Sequence, residues 1–341
     1  MEATAIVNIK PLGFPWETQD PFIFCVYHRD EFPKGNEAMG PAVSLSGRTI
    51  GQDFSDKEGW NMYHGKNIPG FPYHPHRGFE TVTVVKEGVV DHTDSLGAAG
   101  RFGSGDVQWM TAGKGVLHSE MFPLVHTDKA NPMELFQIWL NLPKRSKFVQ
   151  PHFKMFWKEN IPVLKEIDNN GHTTEVNVIA GDLKGLHAPE STPDSWAAVA
   201  SNHVSILTIK LDAHAMFKLP KIEAGVNRML YFYKGGTMQI AATDVSVYHS
   251  VQLKSEMNAT LQAGSEDCYL LLLQGKPMNE PVVQYGPFVM NTEQEIKDAF
   301  AEYQKTQFGG WPWPNHEQAH ARESGRFALH ADGREEKMHS I

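Results

Sequence analysis

The stretch "FPYHPHRGFETVTVV", residues 71–85, contains two histidines, His74 and His76, separated by one proline. In an extended strand, residues i and i+2 point to the same face. Pro75 disfavours a helix at the residue before it and suits an extended chain. We therefore expect His74 and His76 to project together from a β-strand. Because the chain has 17 histidines, this pair alone is weak evidence for a metal site.

A second pair of ligand-type residues follows in "GDVQWMTAGKGVLHSEMF", residues 105–122. His118 and Glu120 again have i, i+2 spacing, in a predicted strand that begins after the turn "AGKG". Two strands that each offer two such side chains to one face could bind a transition metal through three imidazoles and one carboxylate. Such a site can leave coordination positions open, as a catalytic metal requires. The alternative is two ordinary surface pairs, and the spacing alone leaves both interpretations open.

Short strand-like runs bounded by Gly, Pro, Asp or Asn continue along most of the chain. "ETVTVV", followed by "KEG" and "VVDHT", predicts a β-hairpin. Many short strands with glycine-containing turns favour a β-sandwich or barrel. The runs form two series, the first ending near "LPKRSKFVQP" and the second extending from about Val163 to Tyr285. Their similar content suggests a duplicated β fold, although the sequence shows no clear repeat.

The last part of the chain differs from the strand-rich region. In "NTEQEIKDAFAEYQKTQ", residues 291–307, Ile296, Phe300 and Tyr303 fall at helical spacing, and Asn291 or Thr292 could cap the helix. The residues after 307 are rich in Gly, Pro, His and charge. We expect them to form a wrapped or loosely ordered extension.

Composition sets broad limits on function. With 41% apolar and 21% charged residues the chain is typical of a globular protein. A net charge of −9 without a basic stripe argues against direct nucleic-acid binding, but leaves a protein partner open. No apolar run approaches a membrane span, and the start "MEATAIVNIKPLG" lacks the pattern of a signal peptide, so we expect a cytoplasmic protein. Cys25 and Cys268 are expected to be separate, partly buried thiols.

Three stretches carry a family resemblance: "FPYHPHRGFETVTVV", "LGAAGRFGSGDVQWMTAGKGVLHSEMF", and "GKPMNEPVVQYGPFVMNT" at residues 275–292. They closely resemble the pirin family of the cupin superfamily, over roughly residues 11–307. The resemblance implies an all-β chain with two tandem cupin barrels of the jelly-roll type, a C-terminal helix and an extended tail. The implied domains are a metal-binding barrel at 1–150, a second barrel without metal ligands at 151–290, and the helix and tail at 291–341.

The resemblance also implies a ligand set and a metal. By motif match the ligands fall on His74, His76, His118 and Glu120, the same four residues that the spacing singles out. The implied metal is iron, as Fe(II). Ligand type by itself leaves nickel, manganese, zinc or copper open.

Neighbouring polar residues have less certain roles. Other cupins place a carboxylate ligand where Glu80 stands, so Glu80 could orient a ligand histidine or could be an ordinary polar strand residue. His64, His92 and His126 are expected to lie on the surface or behind the ligands rather than to bind the metal.

Two features of the tail need separate interpretation. "HEQAH", residues 316–320, matches a metalloprotease pattern, but no apolar stripe supports a helix there, so we interpret it as a chance match. Trp311 and Trp313 are expected to pack against one of the barrels.

The resemblance associates the chain with quercetin 2,3-dioxygenase activity, in which a flavonol ring is opened by O2 with loss of carbon monoxide. The partners would be a small aromatic substrate and O2. Glu120 would be both ligand and catalytic base. Four apolar residues beside the motifs could line a flat pocket: Phe71, Trp109, Met110 and Phe122. Strand alternation directs half of these four residues to the outside of the barrel.

Two other functions stay open at this stage. One is a redox-responsive regulatory protein that binds a transcription factor or a metabolic enzyme. The other is a cupin with a vestigial site, which the intact set of four ligands disfavours. Substrate turnover distinguishes the enzyme from the other two.

Overall fold

The computed structural model describes residues 5–338 and is built mainly of β-strands. In the first half the strands are β1 (Ile6–Pro11), β2 (Trp16–Glu17), β3 (Phe22–Phe32), β4 (Gly70–His76), β5 (Phe79–Glu87), β6 (Val89–Asp94), β7 (Ala99–Gly103), β8 (Val107–Thr111), β9 (Val116–Met121), β10 (Asn131–Asn141) and β11 (His152–Phe156). The second half contains β12 (Val163–Ile167), β13 (Thr173–Ala180), β14 (Asp182–Leu183), β15 (Leu186–His187), β16 (Ser205–Leu211), β17 (Met216–Leu219), β18 (Asn227–Lys234), β19 (Thr237–Ile240), β20 (Thr243–Ser246), β21 (His249–Leu253), β22 (Ala259–Ala263), β23 (Cys268–Gly275), β24 (Val283–Tyr285), β25 (Phe288–Met290), β26 (Phe327–Leu329) and β27 (Glu335–Lys337).

Helical structure is sparse. One α-helix, α1, spans Glu293–Thr306. Single 3₁₀ turns occur at Lys57–Gly59, Lys144–Ser146, Lys158–Asn160, Trp196–Ala198, Ala200–Asn202 and Gln307–Gly309. Within residues 5–338 no helix is long and apolar enough to cross a membrane.

The chain divides into two compact units that exchange segments. Among the described residues, the first barrel comprises Val26–Lys158 and residues 280–338, and the second barrel comprises residues 5–25 and Glu159–Asn279. The exchange arises because β1 pairs with β21 near one end of the chain and β26 pairs with β7 near the other. The division of the sequence at residues 150 and 290 stays a prediction. The compact units have different bounds, because an N-terminal segment belongs to the second barrel and a C-terminal segment belongs to the first.

The first barrel contains two sheets whose inner faces share one core. The strand order is β11-β8-β5-β10-β3 in one sheet and β27-β26-β7-β6-β9-β4 in the other, so β4 lies at a sheet edge. Apolar side chains from both sheets pack together in the interior, among them Val85, Val90, Phe102 and Met110. This is the two-sheet, jelly-roll arrangement expected of a cupin barrel.

The predicted hairpin between "ETVTVV" and "VVDHT" is wrong, although both runs are strands. β5 pairs with β8 and β10, whereas β6 pairs with β7 and β9, so the two strands belong to different sheets. The chain changes sheets at Gly88, which has a φ of +87° and would place a Cβ 2.9 Å from the carbonyl oxygen of Pro132. A short glycine turn is therefore compatible with a crossing between sheets as well as with a hairpin.

The second barrel has a more uniformly apolar interior. Its larger sheet has the order β1-β21-β18-β23-β16-β13-β12, and a smaller one has the order β17-β22-β19-β20. Alternate residues of β18 and β23, such as Leu230, Phe232, Leu270 and Leu272, are fully buried in a single hydrophobic cluster. Cys25 and Cys268 are both buried and are not joined in a disulfide, which agrees with the prediction of separate thiols.

The predicted C-terminal helix is confirmed. Thr292 is the N-cap, and its hydroxyl and the carboxylate of Glu295 form a reciprocal capping box. Ile296 and Ala299 bury the inner face of α1 against Phe288 and other residues of the β24–β25 hairpin.

The tail is wrapped rather than loosely ordered. Beyond α1 the chain returns to the first barrel, where β26 extends the sheet at β7. A buried ion pair joins Arg326 of this segment to Asp106, with N···O distances of 2.9 and 3.0 Å. Its many polar residues bind the barrel, which is why composition alone did not distinguish wrapping from disorder.

Candidate metal centre

The two sequence motifs lie on adjacent strands of the first barrel. β4 and β9 are antiparallel, and His74 lies directly opposite His118. The register shifts between Phe71 and His74, so Pro72 and Tyr73 form an irregularity in β4 just before the first histidine. Directly opposite residues of antiparallel strands point to the same face, which brings His118 to the side of His74 and His76.

The three histidines form one compact cluster. His74, His76 and His118 each offer a ring nitrogen, and these nitrogens all lie within 4.8 Å of one another. The Nε2 atoms of His74 and His76 are 3.1 Å apart. His118 is fully buried and His76 is 4% exposed.

Backbone carbonyls fix the tautomers of two of these rings. Nδ1 of His74 lies 2.9 Å from the carbonyl oxygen of Pro72, and Nδ1 of His76 lies 3.4 Å from that of Pro287. A carbonyl oxygen can only accept, so each Nδ1 carries the proton and each Nε2 presents a lone pair. Both nitrogens of His118 are buried and have no hydrogen-bond partner among the described residues. Converging lone pairs without a donor fit a bound metal cation.

Burial keeps the three rings neutral. It lowers the pKa of His74 from 6.5 to about 4, and it lowers the pKa of His76 and of His118 well below their ordinary value. The neighbouring imidazoles act in the same direction. Neutral imidazole is the form that binds a metal, so the cluster is prepared for coordination at neutral pH.

Glu120 lies beside this cluster but outside the group of three. Its Oε2 atom is 3.9 Å from Nε2 of His118. Thr83 Oγ1 lies 3.0 Å from Oε1, and the Gln137 amide donates to Oε2 over 2.9 Å. Burial raises the pKa of Glu120, and His92, Thr83 and Gln137 oppose the rise. A carboxylate oxygen that accepts one hydrogen bond can accept a second or bind a metal, so this position remains suitable for a ligand.

Thr83 and Gln137 were not identified from the sequence. Thr83 stands on the inner face of β5, and Gln137 lies opposite it on β10. The Thr83 hydroxyl is also 2.5 Å from Oε1 of Gln137. Only the alternation of "ETVTVV" could have suggested that Thr83 points inward, because the partner residues come from distant parts of the chain.

Glu80 does not face the histidines. It is three residues from Thr83, which places the two side chains on opposite faces of β5. Its carboxylate accepts a hydrogen bond from Thr111 over 2.6 Å, and the residue is fully buried. Of the two interpretations considered, a polar residue of the strand describes its position.

The other three histidines differ from one another. His64 is exposed and binds the carbonyl of Gly51, and His126 is half-buried in a loop. His92 is fully buried directly opposite Glu120 on β6, with its ring centroid 5.6 Å from that of His118. Of the two expected positions, His92 therefore takes the one behind the candidate ligands and not the one on the surface.

The aromatic residues near the motifs separate by strand face. Phe71 and Phe122 lie together, 6.1 Å between ring centroids, and both contact Tyr63. Met110 belongs to the core of the barrel, whereas the ring of Trp109 contacts Phe156. Phe71 also meets the ring of His74, so this aromatic group adjoins the histidine cluster.

The tail segment that resembles a metalloprotease motif is not helical. Residues 316–320 run in irregular conformation along the first barrel. Trp311 stacks on Tyr73, and the indole N–H of Trp313 donates to the carbonyl of Asp94, so both tryptophans pack on the first barrel as expected.

A two-sheet β-barrel with three histidines converging inside it, followed by a second two-sheet barrel, defines this chain as a cupin protein with two cupin domains. The sequence profile of Pirin matches residues 49–140, and that of the Pirin C-terminal cupin domain matches residues 206–309. The chain belongs to the pirin family.

Relatives and a solved structure agree with this assignment. The chain is 36% identical over 248 residues to a Vibrio cholerae protein named "Putative quercetin 2,3-dioxygenase", covering 71% of this chain and 80% of that protein. It is 36% identical to Pirin-1 of Arabidopsis thaliana, covering 70% and 78%. The crystal structure of quercetin 2,3-dioxygenase from Acinetobacter baumannii superposes with a TM-score of 0.70 at 25% identity, covering 90% of this chain and 99% of that chain.

The lowered pKa of His74 predicts a pH-dependent stability for the metal-free protein. The folded pKa of about 4 lies below the ordinary value of 6.5, so the unfolded chain takes up the proton first as the pH falls. The contribution of His74 is complete above pH 6.5 and is lost as the pH falls to about 4. Replacing His74 with Asn should therefore flatten the fall in unfolding free energy across this window, by at most about 1.4 kcal/mol per pH unit.

Urea denaturation of the metal-free proteins at several pH values measures this slope. The exposed His187, replaced by Asn, is the control and should leave the slope unchanged. Identical slopes for the wild type and His74→Asn would show that His74 is not held neutral by the fold.

Proposed function

We propose that this pirin-family protein is a metal-dependent dioxygenase of the quercetin 2,3-dioxygenase type. The observation that carries the proposal is the cluster of three neutral imidazoles, two buried and His74 half-buried, with a carboxylate beside it. The names of the Vibrio relative and of the Acinetobacter structure support the same reaction class. The substrate would be a flavonol, and the second reactant O2.

The proposed ligands are His74, His76, His118 and Glu120, and the proposed metal is Fe(II). A bound transition metal would supply Lewis acidity toward the flavonol oxygens and a redox centre for O2. The protein contributes four side chains on two adjacent strands, and it holds two of the imidazoles in the required tautomer through Pro72 and Pro287.

Glu120 is also the proposed catalytic base. It would take the proton of the flavonol 3-hydroxyl group, and burial favours this because it raises the pKa of the carboxyl. Thr83 carries one proton and faces both Glu120 Oε1 and Gln137 Oε1. When Glu120 is ionised, Thr83 can donate to it. When Glu120 is protonated, Oε1 can donate to Thr83 while Thr83 donates to Gln137, so the network holds both forms of the carboxyl.

The half-buried ring of Phe71, supported from behind by the buried Phe122 and Tyr63, would give a flat substrate an aromatic contact beside His74. In the proposed reaction both oxygen atoms of O2 enter the ring-opened ester, and one ring carbon leaves with its oxygen as carbon monoxide. No external reductant is needed, because the flavonol itself is oxidised.

Metal content tests the ligand set. Wild-type protein should bind one transition metal per chain, and His76→Ala should lose most of it because a ligand is removed. His64→Ala is the matched control, since His64 is an exposed histidine near the same motif, and it should retain the metal. Elemental analysis after purification with iron measures both. Full metal occupancy in His76→Ala would contradict the proposed centre.

Glu120→Gln separates binding from proton transfer. The substitution keeps one oxygen donor but removes the charge and the basicity. Metal binding should weaken about 10- to 100-fold, as for other changes around metal ligands. Turnover at saturating metal should fall by a further factor of about 100 to 10,000, if the general base is lost. Unchanged activity per bound metal would restrict Glu120 to a ligand role.

A comparison of two substrates tests the reaction. A flavonol should consume O2 and release carbon monoxide, and the matching flavone, which lacks the 3-hydroxyl group, should bind weakly and not react, because no proton can pass to Glu120. The measurements are oxygen uptake and carbon monoxide release by the iron-loaded protein. Inertness toward both compounds at full iron occupancy would overturn the dioxygenase proposal and favour the redox-responsive regulator.

A further inference from the structure

The segment that follows α1 crosses the first barrel close to the histidine cluster. We call residues 311–329 the C-terminal strap. The strap lies outside both matched profiles, since the second of them ends at residue 309. It contacts β4, which carries His74 and His76, and β6, which lies beside β9.

The strap supplies a hydrogen bond that β4 lacks. β4 is an edge strand, and its register with β9 is interrupted between Phe71 and His74. Tyr73 lies within this interruption, and its N–H donates instead to the carbonyl of His316 over 3.1 Å. The strap therefore satisfies a backbone donor at the irregular part of this edge strand.

Aromatic contacts also hold the side chain of Tyr73. The ring of Tyr73 stacks on Trp311 with a centroid distance of 5.0 Å and an interplanar angle of 20°. The ring of His316 meets Tyr73 edge-on at 4.7 Å. Stacked and edge-to-face pairs of this kind stabilise a defined ring orientation, so Tyr73 is fixed at both its backbone and its ring.

Glu317 fixes the chain just before β4. Its carboxylate accepts backbone N–H bonds from Lys66 over 2.8 Å, from Asn67 over 3.0 Å and from Ile68 over 3.4 Å. Hydrogen bonds to an ionised acceptor are stronger than neutral ones. The entry to β4 and its irregular centre are thus both attached to the strap.

The strap has its own anchors away from β4. The fully buried Arg101 pairs with Asp91 and also donates to the strap carbonyls of His320, Ala321 and Ser324. The strap should therefore stay docked when its contacts with β4 are weakened one at a time.

We propose that the C-terminal strap is a positioning element for His74. It holds Tyr73, and so maintains the irregularity that places the Pro72 carbonyl 2.9 Å from Nδ1 of His74. That carbonyl keeps the proton on Nδ1 and directs the Nε2 lone pair toward the other two imidazoles. The inference rests on the metal centre proposed above and adds residues to it that touch neither metal nor substrate.

The test uses the full chain with two strap substitutions, Trp311→Ala and Glu317→Gln, separately and combined. Cobalt(II) is the probe, titrated anaerobically against a chelator and followed by its absorption spectrum. We expect metal affinity to fall about 10- to 100-fold in the combined variant, as for other groups that orient metal ligands. The cobalt spectrum should change, and the Tyr73 amide should exchange hydrogen faster.

Two further variants serve as controls. Glu323→Gln removes a carboxylate from an exposed position of the same strap and should behave as the wild type. Trp311→Phe keeps the ring stack and should restore most of the affinity lost in Trp311→Ala. If the combined variant does not fold, the two single variants give the same comparison with smaller effects.

The outcomes distinguish this inference from the metal centre itself. A wild-type protein that does not bind cobalt would overturn the proposed centre. A wild-type protein that binds cobalt, with strap variants of equal affinity and unchanged spectrum, would overturn the positioning role of the strap while leaving the centre intact.

Discussion

The first barrel is organised around two imidazole lone pairs held 3.1 Å apart in a buried site. Two such lone pairs repel each other, and burial removes the water that would otherwise separate them. Protonation would relieve the repulsion, but burial also lowers the pKa of both rings, so they stay neutral at ordinary pH. A bound cation that accepts both lone pairs, as in the proposed metal centre, would relieve this repulsion. Contacts from the surrounding structure prevent the rings of His74 and His76 from rotating away from each other.

Those contacts come from parts of the chain that are far apart. Pro72 orients its near neighbour His74, whereas Pro287, from the β24–β25 hairpin more than two hundred residues later, lies against His76. Glu120 is held by Thr83 and Gln137 from the opposite sheet. A barrel of two facing sheets makes this possible because inward-facing residues of both sheets converge on one interior. Thr83, Gln137 and the Glu120 carboxylate satisfy one another in a single network, which reduces the cost of burying these polar groups.

The strands that carry the candidate ligands could be predicted from the sequence, whereas the residues that support them could not, for a physical reason. Two i, i+2 pairs need only local extended structure, so His74 and His76, or His118 and Glu120, can be placed on one face from spacing alone. The capping signal at Thr292 is equally local. The hairpin prediction failed because strand alternation does not specify which sheet a strand joins. Thr83, Gln137 and the strap escaped notice because their roles depend on contacts across the barrel. The burial of His92 depends on the same register.

The two barrels use their interiors in different ways. In the second barrel the alternate positions of β18 and β23 are filled by residues such as Leu230 and Leu270, which stabilise the fold by burial without any polar requirement. In the first barrel the inward positions of β9 carry His118 and Glu120, which contribute little to stability unless something binds them. A polar interior of this kind needs stabilising contacts from outside the barrel core. The need is greatest at β4, because an edge strand has a neighbouring strand on one side only. The strap bonds to that strand, and the buried pair of Arg326 and Asp106 ties the strap to the same barrel. The cost of a polar interior is thereby offset by packing and hydrogen bonding on its outside, which is the pattern expected where function and local stability conflict.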